Sequence, residues 1–498
     1  MTHGRSRILA MADTTLLAMP VLLMLACGIL AIRYGWDAKY GLLAFIGLLS
    51  FSLLWMRPAA RISAALFIVS SIVALSVANV VLGLRAHMDQ QFPRSHWLHM
   101  QTGAEHVPVL ARTAQKLGVP FDRRSRLEVM QDLLLEGTEA WPTISPPLLF
   151  NGWPSRYRDP VLEIGNAPLL PLGGISNAKT VYCNESGTYV VYESGRHGFA
   201  NPPHVWSRGA IDVALVGDSF VHGACVPYDQ SFPSLIRNKF PGTLNLGRDG
   251  VGPLAELAII KEYLPHIRPK TVVWAYFEYN DFSELRKEKD SFLARYLEPS
   301  FSQDLIHRQS EIDEALKGYV HAVLNGGSVE TTMHVLAAGV GDLLTTTTEW
   351  ERLVKFSFIW ESMAQLAAKA LHPSLAVAES DRWIPRPAAS DQEVEIFQRA
   401  LEQTRALAQS WGGQVVFVYL PQYERYARPD FTDPHRDRIL AMVESLHIPV
   451  IDIHEVFQSQ KDVLGLFPFR QSAHFTPEGY RLVAEAIIRH LERQRDAA

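Results

Sequence analysis

The chain has 498 residues, which is enough for two or three domains. Its net charge of −5 provides no basic surplus for binding nucleic acid, so we expect no nucleic-acid partner. Hydrophobic residues make up 48% of the chain, and their excess lies at the N-terminus. Because the sequence has no CxxC pair and no histidine-rich spacing, it predicts no metal site and no bound cofactor.

Three runs without charged residues lie near the N-terminus, at residues 14–32, 40–56 and 62–84. A membrane-spanning helix needs about 20 apolar residues, so the runs predict three transmembrane helices within a membrane anchor of residues 1–85. A cleaved signal peptide is the alternative for the first run, although two more apolar runs follow it closely. A buried hairpin of a soluble domain is the alternative for the short second run.

The positions of arginine residues predict how these helices are oriented. Arg5 and Arg7 precede the first run, and Arg57 and Arg61 lie between the second and the third. Because cytoplasmic loops are enriched in Lys and Arg, we expect all four arginines in the cytoplasm. The protein is then a multi-pass protein of the inner (plasma) membrane, and the chain after Leu84 lies outside the cytoplasm, in the periplasm.

Residues 86–207 read as an accessory extracytoplasmic region. Its turn-forming segment 184–187 lies between two β-rich stretches, which predicts a β-hairpin. Cys183 lies in this hairpin, and Cys225 follows further along the exported part of the chain. An oxidising compartment would permit a disulfide between them, and two unrelated buried thiols are the alternative.

From residue 208 to the C-terminus the chain alternates strands and helices, which is typical of an α/β fold with a parallel sheet. A stretch at about 282–389 interrupts this alternation with mostly helical sequence, and we interpret it as an insertion that covers or borders the site. The predicted strands cover residues 213–216, 243–246, 271–277, 415–420 and 449–453.

Polar residues with catalytic potential follow several of these segments. Ser219 comes directly after the first strand and precedes a helical segment, which suits a nucleophile at the carboxyl edge of the sheet, or simply a helix cap. His474, which lies just before the last helix, is a candidate general base, or simply a surface or helix-capping residue among the 18 histidines of the chain. Gly250 and Asn280 are candidate donors to a developing oxyanion, and each also suits an ordinary turn.

Taken in order, these segments resemble the SGNH (GDSL-type) hydrolase family. The resemblance covers roughly residues 212–285 and 415–491 and leaves out the anchor, the accessory region and the insertion. The segments that carry it are Gly217-Asp218-Ser219-Phe220, Asn245 to Gly250, Asn280-Asp281, and His474 followed shortly by Thr476-Pro477-Glu478-Gly479-Tyr480.

The resemblance implies a three-layer α/β/α sandwich with a parallel sheet, and it implies a role for each residue. Ser219 would be the nucleophile and His474 the general base. The backbone N–H groups of Ser219 and Gly250, with the side chain of Asn280, would form the oxyanion hole.

Two positions depart from the family pattern. The family has an aspartate three residues before the histidine, where this chain has Gln471, so the acid that orients His474 is not identified. A Ser–His dyad without an acid is one possibility, and a carboxylate from Asp452, Asp462 or the accessory region is the other. Glu278 replaces a usual glycine and either adds a charge to the site or faces away from it.

The sequence therefore predicts a serine esterase that removes O-acyl groups, with O-acetyl as the expected group, from a cell-envelope or extracellular polysaccharide. An O-acetyltransferase with the same serine and histidine is the first alternative, and it would need a separate acyl-donor partner in the membrane. A non-catalytic, membrane-tethered binding or assembly protein is the second alternative, which Gln471 and Glu278 suggest.

Overall fold

The computed structural model describes residues 9–18, 21, 53–91, 107–153, 157–324 and 388–497. The described residues belong to two compact units, one with those up to Met88 and the other with those from Asp89 onward. The helices are α1 Leu9–Ala18, α2 Pro58–Gln91, α3 Val107–Lys116, α4 Arg126–Leu135, α5 Ser219–His222, α6 Phe232–Lys239, α7 Pro253–Ile267, α8 Asp281–Glu288, α9 Gln309–Leu324, α10 Asp391–Ser410, α11 Glu424–Ala427, α12 Arg436–Ser445, α13 Ile453–Gln458 and α14 Pro477–Ala497.

Helix α2 dominates the described part of the N-terminal unit. Among the described residues, its segment Pro58–Val81 is the stretch that is long and apolar enough to cross a membrane, judged by length and composition only. Leu66 and Phe67 expose 63% and 73% of their surface. The predicted helix at 62–84 falls within α2, whereas most of the predicted helices at 14–32 and 40–56 lies outside the described residues.

The second unit contains a five-stranded sheet in which all strands are parallel, as the sequence predicts. Its order is β10-β9-β8-β6-β7, so the strand order reverses between β6 and β8. In open α/β sheets, ligands bind at the carboxyl ends of the strands next to such a reversal. The strands are β6 Val213–Gly217, β7 Thr243–Asn245, β8 Thr271–Phe277, β9 Gln414–Leu420 and β10 Val450–Asp452.

Helices pack on both faces of this sheet because its strands are apolar on both sides. All seven residues of β8 are buried, which is typical of a strand covered on both faces. Trp274 belongs to the core cluster that contains α7 and α10 residues, and its neighbour Val273 belongs to the cluster that contains α6, α13 and α14 residues. The alternation of side chains along each strand divides the core into these two layers.

The accessory region has short strands of its own, β1 Ala140–Pro142, β2 Leu162–Ile164, β3 Ala167–Leu169, β4 Lys179–Val181 and β5 Val191–Glu193. Strands β4 and β5 pair antiparallel, so the predicted hairpin is confirmed. The pairing continues beyond the strands, since Tyr182 N–H donates to the Val190 carbonyl at 2.8 Å and Val190 N–H donates to the Cys183 carbonyl at 2.9 Å. The tip of this hairpin contains residues 184–187.

The described part of the predicted insertion is helical, with α8, α9 and two short 3-10 helices at Phe292–Leu297 and Leu305–His307. Residues 325–387 of the predicted insertion lie outside the described residues. Helix α8 begins directly after β8 and brings Asn280 to the carboxyl edge of the sheet, which is where the candidate site lies.

Candidate active site

Ser219 occupies the first position of α5, at the carboxyl end of β6. The Asp218 carboxylate caps this short helix by accepting a hydrogen bond from Phe220 N–H at 2.9 Å. Gly217 permits the close turn, because a Cβ there would lie 2.4 Å from a methyl carbon of Val221. The serine is therefore held by backbone geometry at the sheet edge next to the strand reversal.

His474 lies against Ser219, although 255 residues separate them in the sequence. The distance from Ser219 Oγ to His474 Nε2 is 2.8 Å, which is within hydrogen-bonding range. The histidine lies in the loop just before α14, and this loop is at the same edge of the sheet as Ser219. The predicted nucleophile and the predicted base are thus brought together with the geometry that proton transfer needs.

Glu185, from the tip of the accessory hairpin, provides the carboxylate that contacts the other side of His474. Its Oε1 lies 2.9 Å from His474 Nδ1, and its Oε2 accepts the backbone N–H of His474 at 2.9 Å. The two bonds fix both the ring and the main chain of the histidine. Ser219, His474 and Glu185 therefore form a continuous hydrogen-bonded series, as the residues of a catalytic triad do.

Of the alternatives that the sequence left open, the carboxylate that contacts His474 comes from the accessory region, and Asp452 and Asp462 lie elsewhere. Asp452 caps α13 and pairs with Arg436. Asp462 caps a 3-10 helix at Val463–Leu466 and pairs with Arg470 at 2.6 Å. Each carboxylate already satisfies a local helix end and an arginine. Gln471, at the position where the family has aspartate, donates its backbone N–H to the Pro468 carbonyl at 3.1 Å.

The Glu185 carboxylate changes the protonation of His474. Burial lowers the pKa of His474, but the charge and hydrogen bond of Glu185 outweigh burial, and the net pKa is raised above the ordinary value of histidine. A histidine acts as a general base only when it is neutral. Base catalysis by His474 should therefore weaken as the pH falls through this raised pKa.

The three potential oxyanion donors are the backbone N–H groups of Ser219 and Gly250 and the side-chain amide of Asn280. All three residues line one cavity, to which His474 also contributes. The cavity has a volume of about 440 Å³, and Gly250 and Asn280 both contribute to its wall. Among the described residues, the backbone N–H groups of Ser219 and Gly250 donate to no backbone carbonyl. The amide of Asn280 lies beside Asp218, whose pKa burial raises to about 6 while the Phe220 N–H, His474 and Asn280 oppose that rise.

Glu278 does not line this cavity, which bears on the second departure from the family pattern. Its carboxylate accepts from Arg425 Nε at 2.9 Å and 3.1 Å and from Gln422 N–H at 2.7 Å, and Tyr419 bonds to it as well. It forms part of a separate cavity of about 310 Å³. Burial raises the pKa of Glu278, and the guanidinium of Arg425 opposes that rise.

The accessory region builds one wall of the cavity that contains Ser219 and His474. Ser145, Leu148 and Trp153 line it together with Glu185. Cys183 and Cys225 form a disulfide with their Cα atoms 5.2 Å apart, which is an ordinary separation for such a bond. This bridge joins the hairpin that carries Glu185 to the loop that follows Ser219, and it decides between the two alternatives for these cysteines.

Glu185 is a site residue that the local sequence pattern did not identify, although the positions of the two cysteines indicate where it lies. Cys183 lies two residues before it, and Cys225 lies six residues after Ser219, so pairing of these cysteines brings the hairpin tip next to the nucleophile. Atoms of Glu185, Cys225 and His474 lie within 4.8 Å of one another, as the ligands of a metal ion would. The Cys225 sulfur is already in the disulfide, however, so this group does not suit a metal ion.

Comparisons with known proteins do not name a relative. Models of known protein families give no match to the chain, and a search of curated proteins gives none either.

Proposed function

We propose that the chain is a serine esterase of SGNH type that removes O-acyl groups, with O-acetyl as the expected group, from a cell-envelope polysaccharide. The observation that carries the proposal is the series in which His474 Nε2 lies 2.8 Å from Ser219 Oγ and His474 Nδ1 lies 2.9 Å from Glu185. A nucleophile, a base and an orienting carboxylate in hydrogen-bonding contact are the requirement for acyl transfer by serine.

In the first step, Ser219 Oγ attacks the carbonyl carbon of the ester and its proton passes to His474 Nε2. The carbonyl oxygen becomes an oxyanion, which the N–H groups of Ser219 and Gly250 and the amide of Asn280 stabilise. Glu185 stabilises the imidazolium. Collapse of this intermediate breaks the C–O bond, the Nε2 proton goes to the departing sugar oxygen, and the acyl group remains on Ser219.

In the second step, a water molecule gives its proton to His474 Nε2 and attacks the acyl carbon. The intermediate collapses, Ser219 Oγ leaves and takes the proton back, and the carboxylic acid departs. A sugar hydroxyl in place of this water would make the same site an O-acetyltransferase, so the identity of the acceptor decides between the two activities.

The fold and the order of the site residues support an SGNH-type assignment. The sheet with helices on both faces is consistent with a three-layer α/β/α sandwich. Ser219 follows β6, Asn280 follows β8 and His474 precedes the last helix. This order agrees with the family pattern, whereas the orienting carboxylate comes from a different part of the chain.

The location that we propose is the periplasmic side of the inner membrane. The apolar stretch Pro58–Val81 supports a membrane anchor, and the disulfide between Cys183 and Cys225 supports an oxidising compartment. A membrane-held enzyme in that compartment would meet acylated envelope polysaccharide, which is the basis for the proposed substrate.

The test is release of p-nitrophenol from p-nitrophenyl acetate by the full-length protein in detergent. We expect Ser219→Ala to lower kcat/KM by about 10⁴-fold or more, because the nucleophile is lost. The matched control is Ser459→Ala, which removes an exposed serine hydroxyl at the end of α13 and should leave the rate unchanged.

Turnover that is equal in the native protein and in Ser219→Ala would contradict the proposal and favour the non-catalytic alternative. Turnover that depends on Ser219 and yields acetylated sugar when oligosaccharide is added would favour the transferase. Release of free acetate under the same conditions would favour the esterase.

A further inference from the structure

The inner end of the catalytic cavity contains buried polar atoms that no described residue satisfies. Tyr182 is 4% exposed, it lines the cavity, and its hydroxyl has no hydrogen-bond partner among the described residues. Arg126 lines the same cavity, and its buried Nε also lacks a described partner. A buried polar atom without a partner destabilises the folded chain, so two such atoms on residues that line one cavity indicate a polar ligand.

The guanidinium of Arg126 makes few hydrogen bonds to the described residues. Its one hydrogen bond among the described residues runs from Nη1 to the Thr143 carbonyl at 3.2 Å, and it forms no ion pair with them. Burial lowers the pKa of Arg126, and the nearby Asp249 carboxylate opposes that change. Several donors of a planar guanidinium thus remain for a bound molecule.

Asp249 provides an acceptor in the same cavity. It receives a hydrogen bond from Ser145 Oγ and lies 3.5 Å from His222 Nδ1. Burial raises its pKa, but His222, Arg248 and Ser145 outweigh burial and lower the pKa well below the usual range, so the group is ionised. A carboxylate offers about four lone-pair sites, and these contacts do not use them all.

The tyrosine is held in place and cannot turn away to find another partner. Its ring stacks on the His222 imidazole with the centroids 4.2 Å apart, and His222 Nε2 lies 2.8 Å from the Tyr192 hydroxyl. The side chains of Tyr182 and His222 are almost fully buried. Tyr182, which lines the cavity, is therefore fixed in position with its hydroxyl buried, and such a residue suits a preorganised binding group.

From this geometry we propose that Arg126, Tyr182 and Asp249 form a subsite that binds the hydroxyl groups of the sugar ring whose ester meets Ser219. Arg126 and Tyr182 donate to hydroxyl oxygens, and Asp249 accepts a hydroxyl proton. The proposal rests on the proposed esterase function and adds the recognition of the alcohol part of the substrate.

The mixed character of the subsite favours a neutral hydroxylated group over other occupants. An anionic group would meet the ionised Asp249 carboxylate, and an apolar group would leave the Tyr182 hydroxyl and the Nε of Arg126 without partners. A sugar ring both donates and accepts hydrogen bonds, so it can satisfy all three. A cavity of about 440 Å³ is within the usual size range for a site that holds a small ligand.

The test compares two esters that carry the same acetyl group on a six-membered ring, 6-O-acetylglucose with hydroxyls and cyclohexylmethyl acetate without them. We expect the full-length native protein to prefer 6-O-acetylglucose by about 10²-fold or more in kcat/KM, because only that ester satisfies the subsite. Tyr182→Phe and Arg126→Met should each reduce this preference about tenfold, since each removes hydrogen-bond donors to the ring.

The matched controls are Tyr189→Phe and Arg124→Met, which remove the same groups from the same region. The Tyr189 hydroxyl donates to the Arg124 carbonyl at 2.8 Å, and Arg124 pairs with Asp122 and Asp132 on the surface. Neither residue lines the cavity, so the preference should not change.

Equal use of the two esters by the native protein would overturn the subsite, and so would a preference that survives both cavity variants. Failure to cleave either ester would also overturn it, provided that p-nitrophenyl acetate is cleaved in a Ser219-dependent manner. If p-nitrophenyl acetate itself is not cleaved, the proposed function fails first. The two failures are thereby distinguished.

Discussion

The parallel sheet and the accessory region contribute to the candidate site in different ways. The sheet edge supplies Ser219, Gly250 and Asn280 from loops that follow strands, and His474 from the loop before the last helix. The accessory region supplies Glu185 from the tip of a hairpin and one wall of the cavity. The groups of the proposed bond-making chemistry belong to the sheet, whereas groups that orient the base and face the substrate belong to the accessory region.

This difference indicates that a parallel sheet concentrates reactive groups at one edge by topology, while an orienting carboxylate can come from any loop that reaches the histidine. Glu185 and His474 are 289 residues apart in the sequence. We compare the contributions of the two regions to the rate by replacing a side chain in each region. We then remove the disulfide that links them.

Among the changes that compare the two regions, the largest effect is expected from Glu185→Gln, which keeps the shape of the side chain and removes its charge. We expect kcat to fall by about 10³-fold, because the amide neither stabilises the imidazolium nor keeps His474 in the correct tautomer. The measurement is Ser219-dependent hydrolysis of p-nitrophenyl acetate. Asp462→Asn is the matched control, and a loss as large there would contradict the assignment of Glu185.

The dependence of the rate on pH is a second test of the Glu185→Gln variant. Glu185 holds the pKa of His474 above its ordinary value, and the base must be neutral, so the native rate should fall as the pH drops through that raised pKa. Without the carboxylate the pKa falls, and the acid limb of the residual activity should move to lower pH. An acid limb that stays in place would mean that another group controls it.

A smaller effect is expected from Asn280→Ala at the sheet edge. Loss of one oxyanion donor should lower kcat by about 10²-fold with little change in KM. Asn280 is the N-cap residue of α8, but its side chain makes no capping hydrogen bond, so the variant should remain folded. Thermal unfolding checks this point, and an unchanged kcat would remove Asn280 from the proposed oxyanion hole.

The smallest effect on the rate is expected from replacing both Cys183 and Cys225 by serine. The disulfide closes a loop with a sequence separation of 42, and its loss should lower the free energy of unfolding by about 2–4 kcal/mol. Packing still holds the hairpin, so kcat should fall less than tenfold. A loss as large as that of Glu185→Gln would show that the covalent link alone keeps Glu185 in position.

Much of the sheet edge is predictable from the sequence because its signals are local. Ser219 follows a buried apolar strand, and His474 precedes a helix that begins with proline. The parallel sheet and the strand reversal then bring both residues to one place, and no long-range information is needed beyond the α/β alternation.

Glu185 was not predictable in the same way because its neighbourhood reads as a turn. Asn184 Oδ1 accepts the Gly187 N–H at 2.8 Å, and its amide donates to the Asp122 carbonyl at 2.9 Å. These contacts explain the turn-forming residues around Glu185 without reference to catalysis. The contact with His474 depends on tertiary packing, which no local pattern specifies, and the disulfide ties the hairpin to the loop that follows Ser219.

The two hydrogen bonds that Glu185 accepts from His474 determine when the site can be completed. One carboxylate fixes a ring and a main chain that belong to the last loop of the chain, so the site is complete only after the C-terminal helix has packed. The disulfide that holds the hairpin requires an oxidant, which the cytoplasm does not supply. A newly made chain would thus gain the complete series of Ser219, His474 and Glu185 only after its C-terminal helix has been synthesised and packed, and the covalent link only where an oxidant is present.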